Sequence, residues 1–193
     1  AFLESYPAHP TAEERSRMVH LCALEPAAPW SVLAVTFTNK AANELRERLS
    51  TFGIQGAESV WAMTFHSACV RILRRDIDRL GFSRDFTIYD TDDSKRVIKD
   101  ILKELDIDEK KLTPREVLSA ISNAKDAVAT PEDWCRRWKN SGDWRKEAIA
   151  RIYVRYVQRL AEANALDFDD NLLHAVTQLK KEDEVREYYR RKL

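Results

Sequence analysis

Two apolar runs that each break into a polar knot, and then pass directly into a helix, constrain this chain more than any other feature. In "VLAVTFTNKAANELRERL" the run Val32–Phe37 gives way to Thr38-Asn39-Lys40, and a helix-forming stretch from about Lys40 to Phe52 follows at once. The segment "VWAMTFHSACVRILRRDIDRL" repeats the plan: a run over 60–65, a knot at Thr64-Phe65-His66-Ser67, then a helix. Continuous apolar runs of this length read as strands buried on both faces, as in a parallel sheet. With "GIQGAES" as the intervening loop, the order strand–helix–loop–strand–helix predicts an open α/β domain with right-handed crossovers.

The pattern changes after Gly81. "FTIYD" reads as a short extended piece, and Asp90 as the N-cap of "TDDSKRVIKDILKELD", whose apolar Val97, Ile98, Ile101, Leu102 and Leu105 share one face. "TPRE" (113–116) is a capping box with Pro at the first helical position, opening "PREVLSAISNAKDAV". "TPED" (130–133) resembles it and opens "PEDWCRRWKN". A long helix is expected over about Trp144–Asn164, another from Asp167–Asp170 onward, and a last one in "EDEVREYYRRKL". The N-terminal 30 residues hold four of the six prolines around a helical piece at about Thr11–Leu24.

Composition narrows the class. The 193 residues are 44% hydrophobic and 33% charged, which fits a globular protein with a core rather than a disordered chain. Formal net charge is zero, so any nucleic-acid surface must be a local patch. Cys22, Cys69 and Cys135 are odd in number and far apart, which argues against a disulfide framework or zinc site and for reduced thiols in the cytoplasm. No apolar run approaches a membrane span, and no signal-peptide pattern opens the chain. The chain starts without Met and ends inside a helical pattern, so both ends read as cut.

In open parallel sheets, ligands bind beyond the carboxyl ends of the strands. Two successive strands here end in hydroxyl, amide, imidazole and amine groups. Thr38 or Asn39 can cap the following helix, whose first N–H groups then face outward, where a phosphate could sit beside Lys40. Phe37 and Phe65 have two readings, core packing or flat faces for stacking bases. His66 is read either as a structural hydrogen-bonder or as part of the ledge with Thr64 and Ser67. "DFDD" (167–170) is acidic enough for a metal, but capping and helix-dipole complementarity explain it more simply. Phosphate-cradling G-x-x-x-x-G-K-[ST] is absent, and no apolar strand ends in Asp-Glu. No nucleophile elbow or C-x-x-C occurs, so no self-sufficient catalytic site is expected.

These segments carry a resemblance. "VLAVTFTNKAANELRERL", "TFHSACVRILRRDIDRLGFSRDFTIYD", "LSAISNAKD" and "NALDFDDNLL" resemble, in order, motif Ia and later segments of the UvrD/PcrA/Rep group of superfamily 1 DNA helicases, nearest the PcrA/UvrD type, over about Pro29–Leu193. The resemblance implies an α/β fold: part of a RecA-like core with an inserted, mostly α-helical subdomain. Residues 29–84 and 165–193 would belong to core 1A and 85–164 to insert 1B, with 1–28 poorly assigned.

It further implies the DNA-tracking portion of an ATP-dependent 3′–5′ helicase or translocase of DNA repair or replication, acting in the bacterial cytoplasm or nucleoid. The DNA-binding residues would be Thr36, Phe37, Thr38, Asn39, Lys40, Thr64, Phe65, His66 and Ser67. Partners would be single-stranded DNA and single/double-strand junctions. ATP and Mg²⁺ would be held in the whole protein by Walker segments outside this chain, leaving the chain inactive alone. Exposed sheet edges would invite self-association. The other reading is a non-catalytic module, either a passive DNA binder or a helical protein-docking surface built on Trp134, Trp138 and Trp144; core packing of those rings is its competitor.

Overall fold

The computed structural model describes residues 7–22, 26–54, 56–139 and 141–193, apart from the Cys22 side chain. Leu24, the expected end of the first helical piece, therefore lies outside the described residues. The chain forms two compact units: one runs up to Ala68 and takes in Arg186–Leu193, the other is Cys69–Val185.

In the first unit, α1 (Ala12–Cys22) precedes strand β1 (Leu33–Thr36), helix α2 (Asn39–Thr51), strand β2 (Trp61–Thr64) and the first turn of α3 (Phe65–Asp76). β1 and β2 pair in parallel, with Leu33 opposite Trp61 and Thr36 opposite Thr64. The expected parallel arrangement therefore holds, but the expected burial of β1 on both faces does not. Leu33 is exposed, and Ala34, Val35 and Thr36 are only half-buried. One reason is that β1 has one hydrogen-bonded neighbour among the described residues, so one of its edges is unpaired there. β2 is the more buried strand; Trp61 packs edge-on against Tyr189 at 6.2 Å.

The second unit is helical around a small sheet. Strand β3 (Thr87–Ile88) is followed by α4 (Thr91–Glu104), α5 (Pro114–Asp126), α6 (Pro131–Trp138), α7 (Trp144–Glu162), strand β4 (Ala165–Leu166) and α8 (Phe168–Lys181); α9 (Asp183–Lys192) begins here and from Arg186 belongs to the first unit. β3 and β4 pair in parallel, Thr87 with Ala165 and Ile88 with Leu166. Asp90, Thr113 and Thr130 each cap a helix with a full capping box, as their spacing to Asp93, Glu116 and Asp133 requires.

The apolar stripes of α4, α5 and α7 meet in one core, where Ile98, Leu102, Val117, Ile121, Ile152 and Tyr156 are fully buried. Each such aliphatic side chain contributes about 1.5–3 kcal/mol by leaving water. A smaller cluster joins Leu73, Ile77, Phe86, Leu166 and Ala175. The helix expected through Leu80 ends instead at Asp76, and Ile77–Leu80 tighten into a 3-10 turn closed by Gly81 at φ 86°. A left-handed residue stops a helix, and glycine adopts that conformation without a Cβ clash.

Candidate nucleic-acid interface

The parallel register sets Thr36 beside Thr64, so the two polar knots emerge side by side from the same end of the β1–β2 pair. Each knot is held by its own threonines. Thr36 Oγ1 donates to the Thr38 carbonyl at 3.1 Å, and Thr38 Oγ1 accepts from the Ala41 N–H at 3.2 Å, capping α2. Of the two expected caps, Thr38 serves and Asn39 becomes the first helical residue. In the second knot, Thr64 Oγ1 accepts from the Ser67 N–H at 3.2 Å and lies 2.9 Å from Ser67 Oγ. Phe65, expected in the strand, is the first residue of α3.

Burial sorts these residues. Thr64 is buried and Thr36 and His66 are half-buried, whereas Thr38, Asn39, Lys40 and Ser67 are exposed. Phe37 is 91% exposed and Phe65 44% exposed, so neither ring is buried among the described residues. Their rings lie 5.6 Å apart, tilted by 42°. An aromatic pair in water, beside an amine, two hydroxyls and a helix N-terminus, offers flat faces for bases and donors for phosphates. The threonines build the turns, and Phe37, Asn39, Lys40, Phe65 and Ser67 are left exposed beside them.

In the second unit, "DFDD" does something the sequence did not disclose. Asp167 caps α8 with a capping box to Asp170, as its spacing predicts. Both carboxylates also receive the ammonium of Lys125, at 2.6 Å from Asp167 Oδ2 and 2.7 Å from Asp170 Oδ1, with all three side chains buried. Tyr156 OH donates to Asp167 Oδ2 at 2.9 Å. Burial pushes the Asp167 carboxyl up, but the Lys125 charge and the hydrogen bonds from Lys125, Asp170 N–H and Tyr156 outweigh it and hold the group below its ordinary value. Asp170 goes the other way: burial raises it to about 6 against the pull of Lys125. Burial also lowers His174, one turn along α8, to about 4. The cluster is an ion bridge from α5 to the start of α8. Lys125 had a signal: it falls on the stripe Val117, Ile121, Ala124 that faces the core.

Phe168, between the two caps, is 58% exposed. It borders a groove of about 540 Å³ that Lys95, Arg115, Ser119, Ser122 and Asn123 also line. This is a further exposed ring among polar and cationic groups, and the sequence did not point to it because capping accounted for the whole motif. The tryptophans separate. Trp134 is half-buried against the helical core, edge-on to Tyr153 at 6.3 Å and to Trp138 at 6.5 Å, while Trp144 is exposed. Trp138 is half-buried as well, so of the three rings only Trp144 is exposed.

The phosphate-loop motif is absent from the sequence. Gly53, Gly56, Gly81 and Gly142 all have positive φ, and none stands in a glycine-rich loop before Lys-Ser or Lys-Thr. Among the described residues no three His, Cys, Asp or Glu side chains gather as metal ligands. Cys69 and Cys135 are free thiols, and no described helix is long and apolar enough to cross a membrane.

Comparison with known proteins points the same way as the ledge. The sequence model of the UvrD/REP helicase N-terminal domain matches residues 15–193, reaching further toward the N-terminus than the start near Pro29 that the motifs suggest. The chain is 44% identical over 176 residues to the ATP-dependent DNA helicase PcrA of Bacillus subtilis (strain 168), covering 91% of this chain and 23% of that protein. It is 45% identical over 176 residues to PcrA of Staphylococcus aureus (strain Mu50) and 43% identical to PcrA of Staphylococcus epidermidis, covering 91% of this chain and 24% of each relative. The chain thus spans about a quarter of the length of the relatives it matches.

Proposed function

We propose, from the premise that this chain belongs to the UvrD/REP helicase N-terminal domain family, that it is the DNA-tracking portion of an ATP-dependent 3′–5′ DNA helicase. Single-stranded DNA runs over the ledge at the ends of β1 and β2. Phe37 and Phe65 stack on bases, and Asn39, Lys40, Ser67 and the first N–H groups of α2 face phosphates. Thr36, Thr38 and Thr64 shape the turns that present them, and His66 sits between the two functions. The single observation that carries this reading is the exposure of Phe37 in contact with Phe65. The Phe37 ring takes part in neither hydrophobic core of the described residues. Phe168 and Arg115 offer the same kind of chemistry, an exposed ring and a cation, at the groove within the helical unit.

In the same reading, residues 29–84 and 165–193 belong to a RecA-like core and residues 85–164 to its helical insert. ATP and Mg²⁺ are bound by parts of the longer protein outside this chain, since the residues present do not form a phosphate loop. No step of ATP hydrolysis is derived from this chain. The protein works on DNA in the bacterial cytoplasm, at single strands and junctions, and the half-covered β1 edge is where an isolated copy pairs with another.

The test is binding of this chain to fluorescein-labelled oligo(dT) by anisotropy over a salt series. Weak binding that falls as salt rises is expected, with Phe37→Ala weakening it by about 1–3 kcal/mol, the usual worth of one stacked base. No binding at low salt, or an unchanged Phe37→Ala variant, would sink the ledge assignment. ATP turnover by the purified chain would contradict the division of labour.

A further inference from the structure

Phe168 is the first residue of α8, between the N-cap Asp167 and its box partner Asp170. The three differ sharply in exposure: the ring is 58% exposed, the two aspartates 4% and 6%. Each carboxylate divides its oxygens between two tasks. Asp167 Oδ1 accepts from the Asp170 N–H at 2.9 Å, and Asp170 Oδ2 accepts from the Asp167 N–H at 3.1 Å, which completes the cap. The remaining oxygens, Asp167 Oδ2 and Asp170 Oδ1, both go to the Lys125 ammonium. Asn171, also buried, donates its amide to the Asp167 and Phe168 carbonyls at 3.2 and 3.4 Å. Lys125 is held in turn, with its ammonium 5.3 Å from the centre of the Tyr156 ring.

A helix cap does not require this. The boxes at Thr113 and Thr130 are complete without a buried ion pair, and their side chains lie exposed. Nor does stability require it, since apolar residues of like volume usually serve as well as a buried ion bridge. What Lys125 adds over the cap is direction. It ties the turn that carries Phe168 to α5, whose Arg115, Ser119, Ser122 and Asn123 line the groove that Phe168 borders. A ring in water on a loose turn has to be ordered when a ligand stacks on it, and a turn fixed beforehand removes that cost. Binding groups are held to their geometry by just such buried supporting contacts.

We propose, resting on the reading of this chain as a DNA-tracking portion, that Lys125 is a positioning residue for nucleic-acid binding. Through Asp167 and Asp170 it holds Phe168 at the groove along α5, where a base of a single strand stacks on the ring. The experiment is a double-mutant cycle on this chain, read by anisotropy of fluorescein-labelled oligo(dT). One arm is Phe168→Ala. The other is the triple variant Lys125→Met/Asp167→Asn/Asp170→Asn, which removes the bridge without stranding a buried charge and leaves a good capping residue at 167.

Phe168→Ala should weaken binding roughly tenfold, as loss of one stacked base does. The triple variant should weaken it roughly fivefold where Phe168 is present and less than about twofold in the Phe168→Ala background, since coupled residues are not additive. Native circular dichroism and thermal midpoint are the criterion of folding. Should the triple variant not fold, Asp170→Ala keeps the Lys125–Asp167 pair and releases one arm, with a roughly threefold loss and the same dependence on Phe168. Equal losses with and without Phe168, or no loss in either, would make Lys125 merely structural and overturn the proposal while base stacking stands. If Phe168→Ala binds oligo(dT) as well as the wild type, the ring is no contact, and both the stacking at this groove and the proposal fall. Phe37→Ala should weaken the bridgeless chain as much as the wild type; a smaller effect there would show Lys125 acting on the chain at large and equally overturn its assignment to Phe168.

Discussion

Thr38 and Asp167 occupy the same local position and end in opposite environments. Each follows a strand that pairs in parallel, each is extended, and each caps a helix with a side-chain oxygen. Around Thr38 the neighbouring Phe37 and Lys40 are exposed. Around Asp167 a lysine, a second aspartate and a tyrosine close in and shut out water. A strand-to-helix junction can therefore present a ligand surface or anchor a core, and the cap itself does not say which. What differs is the supply of partners from distant sequence: Lys125 lies 42 positions from Asp167.

The comparison breaks most visibly if the anchor is cut. Lys125→Met leaves Asp167 and Asp170 buried beside each other with no cation. It should cost about 3–5 kcal/mol of unfolding free energy in urea titration, since the uncompensated charges remain in a low-dielectric site. Adding Asp167→Asn and Asp170→Asn to it should recover much of that loss. A Lys125→Met variant of unchanged stability would show that the cluster is solvated rather than buried.

Acid sharpens the same point. Asp170, raised to about 6, binds protons more readily in the folded state, so its contribution lowers stability as pH climbs from about 4 to 6. His174, lowered to about 4 from 6.5, binds protons more readily when unfolded, so its contribution raises stability over pH 4 to 6.5. The two nearly cancel in the wild type. Asp170→Asn should remove the opposing slope and expose a gain of roughly 2–3 kcal/mol between pH 4 and 6.5. Asp167, held below its ordinary value, adds stability at neutral pH that is lost only below pH 3.8, as its folded form takes up a proton. A flat profile in the Asp170→Asn variant would mean that His174 is not desolvated as the structure has it.

Val128→Gly tests the end of α5, where Val128 has φ 55°. Relieving a left-handed β-branched residue should gain about 1 kcal/mol, seen as a rise of a few degrees in thermal midpoint. A lower midpoint would show that the Val128 side chain contributes more by packing than its backbone costs. Smallest of all should be the stability effect of Phe37→Ala, within about 0.5 kcal/mol, because a ring this exposed loses little on truncation. The same substitution should be costly only in the presence of DNA. A large loss of stability without DNA would place Phe37 with the anchor and erase the contrast.

Legibility followed range. The capping boxes at Thr113 and Thr130, the cap at Asp90 and the two knots were readable because a cap acts within one turn, among residues three apart. The parallel β1–β2 pair was readable because a helix between two apolar runs permits little else. The exposure of β1 was not, since an apolar run says that cover is wanted and not whether the chain supplies it. Lys125 stood on an apolar stripe in plain view, but nothing near it in sequence named the carboxylates it meets.

The sequence by itself determined most of the helices and the strands β1 and β2, most of their starts to within a residue or so, and that two polar knots would sit at strand ends, whereas β4 and the helical start at Phe65 were not legible in it. Those outcomes rest on steric preference and hydrogen bonds spanning a few residues. Tertiary structure alone decided that Phe37 and Phe65 touch in water, that Asp167 and Asp170 share one buried ammonium, and that Phe168 stays exposed between them. Burial and charge pairing depend on which distant surfaces close over a residue, and that is a property of the whole packing, not of any stretch of chain.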